Sequence, residues 1–229
     1  SFKGIVDFST QRLFADFNAN IQYVNLKYFG INAGDTNSVS GTVNGKISMT
    51  NLNDLNLDAD IQNLVLNSTE QKLQIPDSKL KAFFENGNRI VSVDAPGTVT
   101  GRIAGKFNLE DIGNMLTNSI NKILVGNPPK KTYNGQSFDF DFDVKQGLVA
   151  FFMKDLELKN GASISGNYIG NTNDLILNAD ASYIKYVLTS KKELTEAEKF
   201  LAETDATYQP DLNKTQDSAM VDSLSLRVN

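Results

Sequence analysis

Residues 136–145 read QSFDFDFDVK, and this stretch decides the fold class. An apolar residue occupies every second position from Phe138 to Val144, while three aspartates and Lys145 occupy the positions between and after them. Successive side chains of an extended chain point to opposite faces. The stretch is therefore predicted to be a β-strand with one apolar and one charged face. That apolar face must be covered by protein core or by another apolar molecule.

Similar alternating segments, separated by turn residues, make up most of the chain, a pattern that is typical of an all-β protein. The segments that we expect to be strands are GIVDFS (4–9), DFNANIQYVNLKYF (16–29), SGTVNGKISMT (40–50), LNLDADIQNLVLN (55–67), RIVSVD (89–94), GTVTGRIAGKFNL (97–109), FDFDFDV (138–144), LVAFFMKDLELK (148–159), ASISGNYIG (162–170), DLILNADASYIKYVL (174–188) and SLSLRV (223–228).

Two segments have the spacing of amphipathic helices. The first, near 109–125, has an apolar stripe at helical spacing, a possible cap at Asn108 and a stop at Gly126. Its stripe comprises Leu109, Ile112, Met115, Leu116, Ile120, Ile123 and Leu124. The second covers 191–204. Residues 76–87, PDSKLKAFFENG, fit either a short third helix or an irregular connection between strands.

Three segments of the chain repeat one pattern: FNANIQYVNLKY from Phe17, LDADIQNLVLNS from Leu57 and LNADASYIKYVL from Leu177. In each copy the apolar residues change from one parity to the other part-way along. A one-residue change of parity within a strand indicates a β-bulge or a bend. The chain is therefore predicted to consist of recurring hairpins, each with one apolar face.

A hairpin cannot bury its own apolar face, so the hairpins must join into a larger sheet. This sheet could pack as a sandwich, close as a barrel, or stay open as an elongated, curved antiparallel groove with one or two helices on its apolar face. The open groove is the fold that we predict. Its candidate lining residues are Phe138, Phe140, Phe142, Val144, Leu57, Ala59, Ile61, Leu177, Ala179, Leu109, Ile112 and Leu116.

Composition excludes several classes of function. The net charge of −5 argues against a nucleic-acid partner, which requires a clustered basic face. The absence of Cys and His removes thiolate chemistry and the commonest general base and metal ligand. Asp139, Asp141 and Asp143 resemble the start of a calcium loop, but Val144 stands where the glycine is required. We therefore expect no metal, no cofactor and no catalytic site: the protein is predicted not to be an enzyme.

The stretches GTVTGRIAGKFNLEDIGNMLTNSINKIL (97–124) and SFDFDFDVKQGLVAFFMKDLELKNGASISGNYIGNTNDLILNADASYIKY (137–186) carry a family resemblance. They resemble the translocation and assembly module B (TamB) proteins of the Bacteroidetes type, relatives of AsmA-like proteins among the bridge-like lipid-transfer proteins. The likeness lies in three features: the glycine-containing strand before a helix, the Phe/Asp strand before an apolar run, and the recurrent strand in which Asn-Ala-Asp stands between two apolar residues. It covers most of 1–190.

The resemblance implies an internal segment of a periplasmic rod in the envelope of a Gram-negative bacterium. Such a rod is tethered to the inner membrane by another part of the chain and works with an outer-membrane barrel partner. Its implied function is outer-membrane assembly and phospholipid transport, with acyl chains lying in the groove. Residues 1–190 would form the hairpin groove domain with the inserted helix, and 191–229 would continue it with a helix and a terminal strand.

Two other functions remain open from the residues alone. The surface rich in Asn, Thr, Ser and Asp also fits a structural or adhesive β-sandwich of the envelope with no lipid ligand. The paired carboxylates Asp58 and Asp60 fit a hydrolase, although catalytic pairs are rarely repeated along a chain.

Overall fold

The computed structural model describes residues 1–9, 11–25, 36–69, 71–125, 131–152, 156–191, 213–221 and 224–228. Strands dominate these residues. They are β1 (Phe2–Asp7), β2 (Leu13–Asn25), β3 (Thr36–Met49), β4 (Asn56–Ser68), β5 (Lys72–Ile75), β6 (Ser78–Glu85), β7 (Asn88–Ala95), β8 (Val99–Lys106), β9 (Ser137–Val144), β10 (Leu156–Leu158), β11 (Ala162–Ile169), β12 (Asp174–Ala181), β13 (Ile184–Lys191), β14 (Asn213–Val221) and β15 (Leu224–Val228).

Helical structure is short within the same residues. The helices are α1 (Ile112–Val125) and α2 (Gln146–Phe152), with 3-10 turns at Leu52–Asp54 and Leu109–Asp111. The predicted helix near 109–125 therefore exists as a 3-10 turn followed by α1. The predicted helix at 191–204 lies almost wholly outside the described residues, and the division of the chain at residue 190 stays a prediction.

One large antiparallel sheet contains twelve of the described strands. Its order is β1-β2-β3-β4-β6-β7-β8-β9-β11-β12-β15, and β5 adds to β4 beside β6. The sheet does not close on itself, so the prediction of a mainly β, open antiparallel fold with helices on it is confirmed. A second, three-stranded sheet has the order β10-β13-β14.

The β-bulge predicted from the change of parity is present in the first two copies of the repeat, and the third copy is broken there into two strands. In β2 one extra residue lies between Ile21 and Val24 relative to β3. In β4 the ladder with β3 skips in the same way around Asn63, whose φ is +51°. In the third copy the segment is interrupted at 182–183, and its two halves, β12 and β13, belong to different sheets. The predicted single strand 174–188 is therefore wrong.

Two further local predictions are wrong. Residues 76–87 contain the regular strand β6, which is hydrogen-bonded to β4 on one side and β7 on the other. Residues 148–159 are predicted as one strand, yet α2 covers the apolar run, and among the described residues of this segment only those of β10 are extended. A short apolar run fits a buried helix as well as a strand, and the contacts decide. Here Phe151 is buried and Gln146 Oε1 accepts a 2.5 Å hydrogen bond from Leu158 N.

The Phe/Asp strand β9 has the predicted two faces. Phe138 is 2% exposed, whereas Asp139, Asp141 and Asp143 are exposed. The rings fit because each lies opposite a glycine in a neighbouring strand: Phe138 opposite Gly105, Phe140 opposite Gly166, and Phe142 opposite Gly101. A Cβ at Gly101 would lie 2.3 Å from Asp141 O and 2.4 Å from Phe142 Cδ1, so no side chain fits there.

We predict that Gly101→Ala lowers the free energy of unfolding by about 1–3 kcal/mol, because the added methyl overpacks the β8–β9 contact. The matched control is Gly113→Ala in α1, where a Cβ would meet nothing within 4 Å. This control should stabilise the protein by about 0.4–1 kcal/mol through the entropy of the unfolded chain. Urea denaturation of both variants measures the difference, and equal stabilities would contradict the packing argument.

Candidate functional site

One face of the large sheet, here called the apolar face, carries unbroken rows of apolar residues and glycines that cross the strands. The registers place one row at Val6, Ala15, Ile47, Leu57, Ala82, Val91, Ile103, Phe140, Gly166 and Leu177, ending at the position of Val228. The adjacent row comprises Gly4, Phe17, Gly45, Ala59, Leu80, Val93, Gly101, Phe142, Ile164 and Ala179, ending at the position of Leu226. At the usual strand spacing, eleven strands extend over roughly 48 Å.

The opposite face, here called the polar face, is charged or polar along the corresponding row from β2 to β12. That row is Asp16, Lys46, Asp58, Lys81, Ser92, Arg102, Asp141, Ser165 and Asn178. Cross-strand ion pairs join Lys46 Nζ to Asp16 at 3.4 Å and Lys81 Nζ to Asp58 at 3.4 Å. Such exposed pairs contribute little stability, so their main effect is to keep this face in water.

The structure places the twelve candidate groove residues on or against the apolar face. Six belong to the two rows, and three lie in flanking rows of the same face. The remaining three lie on or just before α1, against one end of the face. The six in the two rows are Leu57, Phe140, Leu177, Ala59, Phe142 and Ala179, and the three in flanking rows are Ile61, Phe138 and Val144. The three on or before α1 are Leu109, Ile112 and Leu116. That these residues hold a lipid stays a prediction.

One end of the apolar face is covered by α1. Met115 of α1 is fully buried in a cluster with Phe138 and Tyr168, and Leu109, Ile112 and Leu116 pack around it. The other buried members of the cluster are Phe107, Tyr133 and Leu175. The rings of Phe138 and Tyr168 stack with centroids 5.1 Å apart. At this end, protein side chains cover the Phe/Asp strand.

The polar groups buried under α1 are paired. Tyr168 donates its hydroxyl to Asn173 Oδ1 at 2.8 Å, and Asn173 Nδ2 donates to Lys131 O at 3.2 Å. Ser119 Oγ lies 3.0 Å from Met115 O and 3.2 Å from Asn173 O. Burial, with smaller contributions from Tyr133 and Asp111, raises the pKa of Tyr168 to about 12. The neutral phenol is thus strongly preferred.

Arg89 is a charged residue on the apolar face that our sequence reasoning missed. It is 2% exposed, and its guanidinium lies 4.6 Å from the Phe84 ring centroid. It donates to the carbonyls of Leu52 and Asn53, while burial lowers its pKa. Its burial could have been predicted from the segment RIVSVD, because Arg89 lies two and four residues before Val91 and Val93 and so points to the same face of the strand.

The 3-10 turn Leu52–Asp54, whose carbonyls accept hydrogen bonds from Arg89, is itself held in place. Arg12 Nη1 contacts Asp54 Oδ2 at 2.5 Å, and Asn53 Nδ2 donates to Glu110 Oε1 at 3.3 Å. Hydrogen bonds from backbone amides, chiefly that of Asn51, lower the pKa of Asp54 to about 2. The turn therefore connects the residue before β2 to the 3-10 turn that precedes α1.

The opposite end of the strands is covered by α2. Gln71 Nε2 donates to Ala150 O at 3.3 Å and Phe151 O at 3.0 Å, which fixes α2 beside β5. Lys145 N donates to Thr98 O at 2.8 Å. Between the two covered ends, most residues of the two rows are only partly buried, and at the β1 edge Val6 is 40% exposed.

A cavity of about 660 Å³ lies at the β1–β6 part of the sheet. Ten of its fourteen lining residues belong to two neighbouring rows of the polar face, among them Ile5, Phe14, Phe83 and the ion-paired Lys46 and Lys81. This cavity is therefore mainly a hollow of the polar face. Over the described residues there is no group of three or more Asp or Glu side chains that could hold a metal ion, and no helix is long and apolar enough to cross a membrane.

We predict that stability falls as the pH rises from about 10, the usual pKa of tyrosine, to about 12. The folded-state pKa of Tyr168 is raised, so its contribution is complete below the unfolded pKa and is lost as the pH passes the folded one. Relative to Tyr168→Phe, the native protein should lose roughly 2–3 kcal/mol of unfolding free energy over this range. Chemical denaturation at several pH values measures it; parallel curves for the two proteins would contradict it.

No protein-family model matches this chain, and no curated protein or solved structure matches it. The likeness to TamB proteins therefore stays a prediction from the sequence motifs. The partly uncovered apolar face is the surface on which a ligand could bind.

Proposed function

We propose that this chain binds phospholipid acyl chains along the apolar face, as an internal segment of a TamB/AsmA-like protein of the Gram-negative cell envelope. The observation that supports this proposal is the pair of apolar rows that cross eleven strands without a charged side chain. The segment would take part in lipid transport and outer-membrane assembly, with the outer-membrane barrel partner contacted by other parts of the full protein.

The energetics of acyl chains favour a face of this kind. Exposing an acyl chain to water costs about 0.8 kcal/mol per CH₂ group. A row of apolar side chains removes this cost at every position along the path, so a lipid can move without crossing a polar barrier. Only continuous apolarity on one face and polarity on the other are needed. A site of this kind has no catalytic or metal-binding motif.

The segment of the face that would hold the acyl chain runs from β2 to β7. There the rows contain Ala15, Phe17, Ile47, Leu57 and Leu80, and none of these residues belongs to the cluster under α1. From Val91 of β7 onward, residues of the first row pack against the cluster that α1 covers. The lipid-binding region is thus proposed to end where α1 begins to cover the sheet.

A structural module without a lipid ligand is the second candidate. The coverage by α1 supports this function, because a helix already occupies part of the face that a conduit would leave open. A structural or adhesive module of the envelope would have the same polar face and would need no ligand. The two candidates differ in whether lipid lies on the β2–β7 part of the face.

The first test is native mass spectrometry of the chain expressed in a Gram-negative host, followed by solvent extraction and identification of lipids. Leu80→Gln places an amide in the middle of the apolar face, whereas Ile90→Gln makes a comparable change on the polar face of the neighbouring strand. Both side chains are partly buried in the native protein. We expect stoichiometric phospholipid with the native chain and with Ile90→Gln, and at least a severalfold lower amount with Leu80→Gln.

Thermal unfolding of both variants provides the control for folding. If neither the native chain nor the control carries phospholipid while both are folded, the lipid-binding proposal is wrong and the structural module is supported. Equal loss of lipid from the two folded variants would also contradict a site on the apolar face.

A further inference from the structure

Strand β1 forms one edge of the large sheet. Within the described part of the chain it pairs with β2 alone. Natural proteins usually blunt such edges with short strands, inward-pointing charges, proline or bulges, because an open edge accepts another strand. The edge of β1 has instead exposed apolar residues: Phe2 is 57% exposed, Ile5 75%, Val6 40% and the following Phe8 75%.

The backbone groups that face outward from this edge follow from the pairing with β2. Ser1 N donates to Asn20 O, and Asn20 N donates to Ser1 O, both at 2.8 Å. Ser1 and Asn20 are therefore a hydrogen-bonded pair of the ladder, and such pairs alternate along antiparallel strands. It follows that Phe2, Gly4 and Val6 direct their N–H and C=O groups to the outer edge.

We propose that a second copy of this chain pairs through β1, antiparallel, about a two-fold axis at Ile5. The interface is then isologous, and each copy contributes the same strand. Residues whose numbers add to ten face each other, so Gly4 exchanges hydrogen bonds with the partner subunit's Val6. This register uses the outward-facing backbone groups derived above.

The side chains of β1 complement each other in this register. On the polar face, Lys3 lies opposite the partner subunit's Asp7, and Asp7 lies opposite the partner subunit's Lys3. Ile5 meets its own copy between these two ion pairs. On the apolar face, Phe2 lies opposite the partner subunit's Phe8. Positions 3, 5 and 7 form non-hydrogen-bonded pairs, in which opposing side chains are closest.

Neighbouring registers lose this complementarity. A shift of two residues places Lys3 or Asp7 opposite Ile5 and removes both ion pairs. A shift of one residue opposes apolar-face positions to polar-face positions and turns the outward N–H groups away from their acceptors. The sequence of β1 thus selects one register for pairing with itself.

The pairing would also extend the apolar face. Val6 ends one row and Gly4 ends the other, and the two become cross-strand neighbours in the dimer. The rows of one copy therefore continue into those of its partner. Dimerisation would therefore enlarge the apolar face. The dimer itself does not depend on lipid binding and can be tested without any lipid.

The decisive test is a charge swap followed by sedimentation equilibrium. Lys3→Asp opposes two aspartates across the axis, and Asp7→Lys opposes two lysines; each variant should weaken self-association at least about tenfold. Mixing the two variants restores opposite charges at both positions, so the mixture should form a heterodimer. The double variant should dimerise like the native chain. Because Asp7 Oδ1 accepts a hydrogen bond from Ser9 N, circular dichroism of each variant is needed to confirm its fold.

Cysteine cross-linking tests the register, because the chain contains no native cysteine. Ile5→Cys should form a disulfide-linked dimer under mild oxidation, since the two thiols lie directly opposite each other. Lys3→Cys is the matched control: its two copies would lie roughly 13 Å apart along the strands, beyond the reach of a disulfide. A native chain that stays monomeric up to about 100 μM, roughly a hundredfold above a micromolar Kd, overturns the proposal. So do single charge variants that associate as tightly as the native chain, or equal cross-linking at positions 3 and 5.

Discussion

The fold depends on a two-residue alternation that stays in register across eleven antiparallel strands. Alternation gives each strand two faces, but it does not by itself align the faces of neighbours. The registers do so: Leu57 faces Ile47 on one side and Ala82 on the other, and Phe140 faces Ile103 and Gly166. A slip of one residue in a strand would bring the residues of its polar face, such as the aspartates of β9, to the apolar side. The bulges in β2 and β4 occur where the parity of the sequence changes, so they preserve the alignment.

The chain covers only part of this apolar face with its own helices and turns. At one end α1 covers the aromatic cluster, where Tyr168 and Ser119 are hydrogen-bonded, and the turn Leu52–Asp54 accepts hydrogen bonds from the buried Arg89. At the other end α2 is fixed through Gln71. Between these ends the rows remain partly exposed. An apolar surface of this extent, bordered by polar residues, is typical of a site that meets an apolar ligand or another protein. The lipid and self-pairing proposals address different parts of it, the rows and the β1 edge.

Local patterns were reliable where one period dominated. The Phe/Asp alternation predicted β9 and its faces, and the stripe from Leu109 predicted α1 to within a turn. They failed where the pattern fitted two structures. The apolar run at 148–152 satisfies a buried strand and a buried helix equally, and contacts with β5 and β10 decide for α2. Residues 78–85 have helix-compatible composition, but ladders on both sides hold them as β6.

The sequence by itself determined which residues of each strand share a face, where the strands bend and where α1 forms, because these depend on side chains a few positions apart. Only the tertiary structure decided the order of the strands. β12 pairs with β11 and β15 but not with β13, the next strand in sequence, and β13 joins a separate sheet with β10 and β14. The tertiary structure also decided that Arg89 is buried between aromatic rings and carbonyls. Such contacts join residues far apart in the chain, and their stability depends on the area that they bury together, which no local pattern records.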